Sequence, residues 1–228
     1  MPCSTTTSGA YPIRGTIDRI DVAEEDGKLY VKVVDYKSGD SQLDESKLYY
    51  GVSLQLPIYL ARAAELMESR NPGREVIPAA MFYYHLQDPL IKDKTDRVEE
   101  EVRKEMRVSG LFLEDAKVLR LLDSDLAGGG SSDVIRASVN KDGNLSSTSQ
   151  SASREEMKEY LDFAEQKAAE LMERIGQGDI AIRPITIGGD LFDSCKYCSY
   201  RGIYRFDDRI DGFCKTAHDK RKLKEDPQ

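Results

Sequence analysis

Asp18, Asp35 and Lys37 are the residues of this sequence whose types and spacing could do chemistry together. Carboxylate oxygens are the ligands that Mg²⁺ and Mn²⁺ prefer, and a cation between two acids removes their mutual repulsion. Such a cation polarises a phosphate and lowers the pKa of a bound water molecule. A lysine beside the acids can orient that water or offset charge that develops in the transition state. The three residues therefore indicate metal-assisted hydrolysis of a phosphodiester.

A β-hairpin is the element that would bring the two aspartates together. Residues 15–23 and 29–37 are rich in β-branched and aromatic side chains, and the pair Asp26-Gly27 between them is a strong signal for a two-residue turn. A turn at this pair places the two aspartates directly opposite each other, where like charges are normally unfavourable. A bound cation would explain the arrangement.

The residues around Asp35 divide between the two faces of the expected strand. Lys37 shares a face with Asp35 because side chains alternate along a strand. We expect the Tyr36 side chain to pack into the core on the other face, and its backbone carbonyl to be a further metal ligand. The alternative is a solvated strand end, with Asp18 in a surface salt bridge. That alternative leaves the facing carboxylates unexplained.

Helical periodicity follows the hairpin. Apolar residues recur at helical spacing from about residue 45 to residue 69, and Pro57 inside this stretch predicts a kink or a new helix start. Residues 76–86 are rich in apolar and aromatic side chains and predict a third strand.

The second half of the chain is more mixed. Residues 97–125 suggest short helical patches around a break at Ser109-Gly110, and the Gly/Ser-rich residues 126–153 suggest a flexible excursion. A capping box at Ser153 predicts a helix that runs to about Ile175.

The composition is that of a globular protein, with 39% hydrophobic and 32% charged residues. No apolar run approaches the roughly 20 residues of a membrane helix, and the first residues lack the apolar core of a signal peptide, so we expect a cytoplasmic protein without a membrane partner. The net charge of −8 argues mildly against binding of nucleic acid, because phosphates are bound by Lys and Arg. A local basic surface or another subunit would have to hold such a ligand.

Several motifs together resemble a known family. The segments GTIDRID (15–21), VVDYKSG (33–39) and LQLPIYL (54–60) resemble the RecB-like nucleases of the PD-(D/E)XK superfamily, and among them the AddB-type subunits of helicase–nucleases. The similarity continues through the Asp-Pro strand end of residues 77–91 and resumes at GDI (178–180) and CKYCSY (195–200), and so covers nearly the whole chain.

The resemblance implies an α/β fold with a mixed sheet flanked by helices, and a single nuclease domain over residues 1–228. It implies that Asp18 and Asp35 are metal ligands and that Lys37 is catalytic. Gln55 and Tyr59 match the family's Q-x-x-x-Y motif; four residues apart on a helix, they share one face and either contact the DNA backbone, support the active site or simply pack. The implied activity is DNA exonuclease cleavage with Mg²⁺ or Mn²⁺, in a complex with an AddA-type subunit that processes double-strand breaks for recombination.

One departure from the family concerns the N-terminus. RecB-like nucleases usually carry a further metal ligand, often His, on a helix upstream of the first motif. Only fourteen residues precede Gly15 here, and His85 and His218 are in the wrong places; His85 suits a strand end. We therefore expect a fragment of a larger protein, and a weak nuclease when it is on its own.

The second departure concerns the cysteine-containing segment 190–218. AddB-type proteins hold a [4Fe–4S] cluster with an upstream cysteine and a C-x-x-C-x₅-C run, but here Tyr204 occupies the last position of that run and Cys3 lies too close to Gly15. We expect no [4Fe–4S] cluster. A structural zinc and thiols without metal both remain open, since the spacing of the remaining set is typical of zinc sites. That set is Cys195, Cys198, Cys214 and His218.

Two rival interpretations remain at this point. A stand-alone Cas4-like exonuclease fits the chain length, although the Asp-Pro strand end favours the AddB type. A catalytically quiet scaffold that binds DNA or a partner fits the negative charge and the altered cysteine motif, although it has no need of two facing carboxylates.

Overall fold

A computed structural model describes residues 2–5, 13–39, 41–86, 98–140, 142–181, 185–187, 190–191, 198–200, 203 and 216–218. The strands are β1 (Pro2–Thr5), β2 (Ile13–Thr16), β3 (Arg19–Glu25), β4 (Lys28–Lys37), β5 (Val76–His85), β6 (Ser109–Leu113), β7 (Gly130–Ser131), β8 (Ser138–Val139), β9 (Ser151–Ala152), β10 (Ile185–Ile187), β11 (Asp190–Leu191) and β12 (Thr216–His218). The α-helices are α1 (Glu45–Tyr49), α2 (Gln55–Arg70), α3 (Val98–Glu105), α4 (Ala116–Leu122) and α5 (Arg154–Gly176), and a 3₁₀ helix spans Ser124–Gly128.

The central sheet has five strands in the order β3-β4-β5-β6-β9. β4 pairs parallel with β5, and β6 pairs parallel with β9, whereas the β3–β4 and β5–β6 pairs are antiparallel. Helices α2 and α5 pack against each other, and α2 lies on β4 and β5. The expected fold class, a mixed sheet flanked by helices, is therefore confirmed.

The hairpin β3–β4 has the expected turn and register. Asp26 and Gly27 have positive φ angles of 50° and 74°, as a type I′ turn requires at both central residues. Ile20 faces Val33, as the predicted turn at Asp26-Gly27 requires, and the paired ladder continues to Arg19 opposite Val34. Strand β3 reaches two residues closer to the turn than the sequence suggested.

The helical stretch after the hairpin is divided in two. α1 ends at Tyr49, and α2 begins afresh at Gln55 with Pro57 in its first turn. The first turn is where a proline is tolerated, because its missing N–H would have no acceptor within the helix. The prediction of a new helix start is confirmed, and α2 then presents its apolar side to the sheet. The buried residues of that side are Leu56, Pro57, Leu60, Ala61, Ala63 and Ala64.

The expected break at Ser109-Gly110 is wrong. Both residues belong to β6, all five residues of which are buried in the middle of the sheet. A Cβ atom on Gly110 would lie 2.1 Å from the carbonyl oxygen of Met81 on the neighbouring strand. The glycine is therefore there for close approach of two backbones and does not mark a loop.

The Gly/Ser-rich residues 126–153 are not the free excursion that their composition suggested. Leu126, Ile135 and Ala137 are buried in a second hydrophobic cluster, which packs on the face of the sheet that carries Phe82 and Phe112. The segment also returns to the central sheet as β9. Its few apolar residues are enough to hold the segment in place, because they pack on this face of the sheet.

Helix α5 begins as the sequence predicts. The Ser153 hydroxyl accepts from the Glu156 backbone N–H at 3.2 Å, and the Glu156 carboxylate accepts from the Ser153 N–H at 2.9 Å. The helix ends at Gly176, one residue beyond the prediction. Over the ranges that the structure describes, no helix combines the length and the apolar character needed to cross a bilayer.

Replacing Gly110 by alanine tests the close approach of β5 and β6. We expect Gly110→Ala to lower the free energy of unfolding by about 1–3 kcal/mol or more, because the added methyl group overpacks the sheet. Urea denaturation measures the change. Gly128→Ala is the control, since a Cβ there meets nothing within 4 Å. Equal effects of the two substitutions would contradict this account of Gly110.

Candidate active site

Asp35 is a buried carboxylate near the end of β4. Its residue is 3% exposed, because it lies on the sheet face covered by α2, in line with Val33. One oxygen, Oδ1, accepts a hydrogen bond from Gln55 Nε2 at 3.1 Å. The other, Oδ2, has Lys37 Nζ 2.5 Å away as a charge partner but no hydrogen bond of suitable geometry. A buried charge is costly unless it is paired, so Asp35 depends on the Lys37 ammonium.

Asp18 lies immediately before β3, one position beyond the last pair of the hairpin ladder. Its Oδ2 atom accepts a hydrogen bond from the Tyr36 backbone N–H at 2.9 Å, so the side chain takes the place of the next backbone partner. This contact holds the exposed carboxylate against the backbone next to Asp35. The two aspartates thus stand at the same end of the hairpin, as the sequence predicts.

Lys37 and Gln55 form a network with the buried acid. Lys37 Nζ donates to Gln55 Oε1 at 2.9 Å while it pairs with Asp35. The amide of Gln55 therefore bridges the acid and the lysine, and its Nε2 also donates to the Tyr59 hydroxyl at 3.2 Å. Gln55 can reach both groups because α2 starts at this residue, beside the end of β4.

Tyr59 connects this network to the segment that carries Asp18. A Cβ atom on Gly15 would lie 3.1 Å from the Tyr59 ring and hydroxyl, so the ring packs directly on the glycine. The motif pair Gln55 and Tyr59 is thus in contact with both halves of the site. Their contacts are with protein groups of the site, which favours a supporting role over mere helix packing.

The Tyr36 side chain does not pack into the core, contrary to expectation. It is 37% exposed and rests edge-on against the ring of Tyr84, with 5.7 Å between the ring centroids. The alternation of faces was correct, but the described residues of the second hydrophobic cluster cover the sheet around Phe82 and do not reach Tyr36. The Tyr36 carbonyl as a metal ligand stays a prediction.

Tyr83 and Ser53 belong to the site but were missed by sequence reasoning. Lys37 Nζ lies 5.6 Å from the centroid of the Tyr83 ring, within range of a cation–π contact. The Tyr83 hydroxyl lies 3.5 Å from Ser53 Oγ. Burial raises the pKa of Tyr83 and the Asp35 carboxylate adds to the rise, while Ser53 and Lys37 oppose it. Tyr83 stands beside Asp35 because β4 and β5 are parallel neighbours, a pairing that no local sequence signal specifies.

The remaining candidate residues lie apart from this network or outside the described residues. His85 is the last residue of β5, and its Nδ1 lies 2.8 Å from the Gly39 carbonyl, as suits a strand-end histidine. Cys195, Cys214 and Tyr204 lie outside the described residues, and so do the side chains of Cys3 and His218. A zinc or iron–sulfur site therefore remains untested. Within the described ranges, no group of three or more acids, cysteines or histidines is arranged to hold a metal ion.

The donor set at the site fits a hard divalent cation. Asp18 and Asp35 present carboxylate oxygens, and the buried, unsatisfied Oδ2 of Asp35 is a natural ligand atom. A site with two protein carboxylates suits Mg²⁺, because this ion usually keeps several water ligands.

Comparison with known proteins agrees with this geometry. The model of the PD-(D/E)XK nuclease superfamily matches residues 3–203, most of the chain and all of the site. The chain belongs to the PD-(D/E)XK nuclease superfamily. The predicted family and the fold class are thereby confirmed.

Within this PD-(D/E)XK family, the chain is similar to AddB-type proteins, each named as a subunit of an ATP-dependent helicase/deoxyribonuclease. The protein of Lachnoclostridium phytofermentans is 38% identical over 208 residues, which are 88% of this chain and 18% of the relative. The protein of Moorella thermoacetica is 39% identical over 204 residues, 88% of this chain and 17% of the relative. The chain thus spans less than a fifth of the length of these relatives.

Alkaline unfolding tests the environment of Tyr83. An unfolded tyrosine ionises near pH 10, and the folded pKa of Tyr83 is higher, so its contribution to stability is complete below about pH 10 and is lost as the pH rises through the folded pKa. We expect Tyr83→Phe to lose less stability than the wild type between about pH 9.5 and 11. Urea denaturation at a series of pH values measures this difference.

Tyr83→Phe should still lose some stability over this pH range, because burial also raises the pKa of Tyr160, which the variant retains. Parallel stability curves for wild type and Tyr83→Phe would show that the Tyr83 hydroxyl is not in the buried environment described above.

Proposed function

We propose that this chain is the divalent-metal-dependent deoxyribonuclease domain of a larger helicase–nuclease subunit, where it acts as an exonuclease. The observation that carries the proposal is the buried Asp35 carboxylate, held beside Asp18 and Lys37 with one oxygen unsatisfied. The relatives are named as parts of a helicase/deoxyribonuclease, which supports DNA as the substrate.

The proposed roles follow from the contacts. Asp18, Asp35 and the Tyr36 carbonyl would hold the cation, since they supply the oxygen atoms at the end of the hairpin. When bound, Mg²⁺ or Mn²⁺ supplies Lewis acidity to a phosphodiester oxygen and lowers the pKa of water. Lys37 can only donate hydrogen bonds, so it serves as a donor to the attacking water or to the developing negative charge on the phosphate.

Gln55 would position the lysine and the acid relative to each other. Its amide oxygen accepts from Lys37 while its amide nitrogen donates to Asp35 and to Tyr59, so a rotation of the amide would cost all three contacts. Fixing the lysine within a preorganised network lets it act without reorganisation at the moment of reaction.

The geometry bears on the rival interpretations. A scaffold without catalysis would gain nothing from a buried acid with an unsatisfied oxygen, since an apolar residue of similar size would be more stable there. A stand-alone Cas4-like exonuclease would use the same site, so the site geometry does not distinguish the two. The Asp-Pro strand end and the length of the AddB-type relatives favour a part of a larger protein. By analogy with those relatives, we infer an AddA-type partner, a cytoplasmic location and a role in double-strand break repair.

Thermal melting with and without metal tests the ligand assignment. At about 100 times its Kd, a bound cation stabilises by about 2.7 kcal/mol, which shifts the Tm of a chain of this size by roughly 5–10 °C. We expect Mg²⁺ or Mn²⁺ to raise the Tm and Asp35→Asn to abolish the increase. Asp21→Asn, on the opposite face of the same hairpin, should keep it. An undiminished increase in Asp35→Asn would remove Asp35 from the set of ligands.

Lys37→Ala separates catalysis from metal binding. We expect cleavage of single-stranded DNA to fall by at least about 10²-fold, the usual loss on removing one preorganised donor, while the Tm increase with metal persists. The matched control is Lys32→Ala, because Lys32 lies on the same strand but on the other face, paired with Asp21. Cleavage at the wild-type rate would exclude Lys37 as a catalytic residue.

A further inference from the structure

A basic groove of about 250 Å³ lies between the end of α3 and the hairpin β7–β8. Lys104, Arg107 and Arg136 line it together with hydroxyl side chains, and Glu105 is its one acid among the lining residues of the described chain. We call this the basic groove. Its charge contrasts with the net charge of −8 of the whole chain.

The three basic residues differ in how far neighbouring acids balance their charge. Lys104 lies 3.0 Å from both Glu100 and Glu101, so its charge is largely balanced. Arg107 donates to two carbonyl oxygens, those of Lys104 at 2.9 Å and Ser132 at 3.4 Å. These bonds hold the guanidinium in place without neutralising it.

Arg136 is exposed, and no carboxylate of the described residues lies within 4 Å of it or of Arg107. Two arginines without an ion-pair partner among the described residues, one of them fixed by the backbone, form a binding site suited to an anion even with Glu105 in the groove. Guanidinium groups match phosphate oxygens in particular, because they donate two parallel hydrogen bonds.

Hydroxyl groups complete the groove. Ser131 and Ser138 face each other in the β7–β8 pairing, and Thr148 stands nearby with its Oγ1 3.0 Å from Ser146 Oγ. Arginine, serine and threonine side chains are the usual partners of the nucleic-acid backbone. The volume suits a phosphate group with part of a sugar and is below the usual range for a drug-sized ligand.

The basic groove lies at the same end of the sheet as the candidate active site. β4 and β5 end there, with Lys37 opposite His85, and the antiparallel β6 begins there, with Ser109 opposite Tyr83. Arg107 lies two residues before the start of β6, about two strand spacings or roughly 10 Å from β4.

Arg136 lies one spacing further on. It follows Ile135, which is bridged in parallel to Val108, so it stands roughly 15 Å from β4. Arg107 and Arg136 therefore lie on the same end of the sheet as Asp18 and Asp35, at increasing distance from them.

We propose that the basic groove binds the phosphodiester backbone of single-stranded DNA a few nucleotides from the bond at Asp35. The proposal rests on the proposed function, because it assumes that the strand cleaved at Asp35 is DNA and continues from there into the groove. It also explains how an acidic chain holds a polyanion: the two arginines supply a local positive field where the strand must pass.

Arg136→Glu tests the groove in direct binding. The probe is a fluorescent 12-nucleotide single strand, titrated with the full 228-residue chain in EDTA at low salt, so that neither metal nor cleavage enters the measurement. We expect about tenfold weaker binding for Arg136→Glu. We expect Arg136→Ala to reduce the salt dependence, d log K/d log[salt], by about 0.7, the value for one lost phosphate contact on a single strand.

Arg70→Glu is the matched control. Arg70 is exposed at the far end of α2, about 22 Å along the helix from Gln55, and its reversal changes the net charge equally. Its binding should stay within twofold of the wild type. Equal weakening by Arg70→Glu and Arg136→Glu would overturn the proposal, because net charge alone would then explain binding. Undetectable binding by the wild type would overturn it as well.

A second pair of variants reaches the groove without removing an arginine. Ser131→Asp adds a carboxylate beside the arginines. Ser131→Asn adds a side chain of nearly the same shape as aspartate but without charge. We expect only Ser131→Asp to weaken DNA binding, by about threefold to tenfold. Unchanged binding in Ser131→Asp would contradict the site even if Arg136→Glu were misfolded.

Two further outcomes distinguish a free anion from DNA as the ligand, and a failure of the proposed function from a failure of this proposal. Binding of inorganic phosphate that depends on Arg136, together with unchanged binding of the 12-nucleotide strand, would assign the groove to a free anion and overturn the proposal. Metal-dependent cleavage that survives Asp35→Asn would defeat the proposed function, but it would leave these metal-free measurements unaffected.

Discussion

The site depends on one interaction: a carboxylate buried at the end of a strand, with a lysine ammonium 2.5 Å away. Asp35 is 3% exposed, so its charge must be compensated within the protein. Lys37 does this without satisfying the second oxygen, and it can do so because side chains two apart on a strand share a face. The neighbouring groups then adapt to this pair: Gln55 bridges it, and the Tyr83 ring lies beside the lysine. The ion pair keeps the buried charge tolerable, and the cation that we propose would compete with the ammonium for the acid.

The elements around the pair are arranged so that their ends meet. β4 and β5 are parallel and finish together, α2 begins beside them, and β6 enters from the same edge. The site is therefore made of strand ends and one helix start, where side chains are held by backbone geometry on one side and remain accessible on the other. Close packing supports this arrangement at two glycines. Gly110 lets β5 and β6 approach, and Gly15 lets the Tyr59 ring lie against the segment that carries Asp18.

The charge distribution is compatible with the polyanionic substrate that we propose, although the chain as a whole is acidic. Many of the acids form ion pairs with nearby lysines and arginines, as in the pairs of Arg62 with Glu165 and of Arg74 with Glu24. Such pairs leave little field beyond the surface at ordinary ionic strength. What matters for a DNA strand is the charge along its path, and on the proposed path Arg107 and Arg136 have no ion-pair partner among the described residues. Net charge is thus a poor guide to ligand binding when the charges are segregated on the surface.

The sequence by itself determined the hairpin, its register, the new helix start close to Pro57 and the cap of α5, because each of these depends on residues close in the chain. It also determined Asp18, Asp35 and Lys37 as neighbours, since a two-residue turn and a period of two fix which side chains face each other. Only the tertiary structure decided that Ser109-Gly110 is a central strand, that residues 126–153 pack on the sheet, and that Tyr36 stays exposed while Tyr83 enters the site. These outcomes depend on which distant segment covers each face of the sheet. Parallel pairing and packing of that kind join residues far apart in the chain, and no local pattern encodes them.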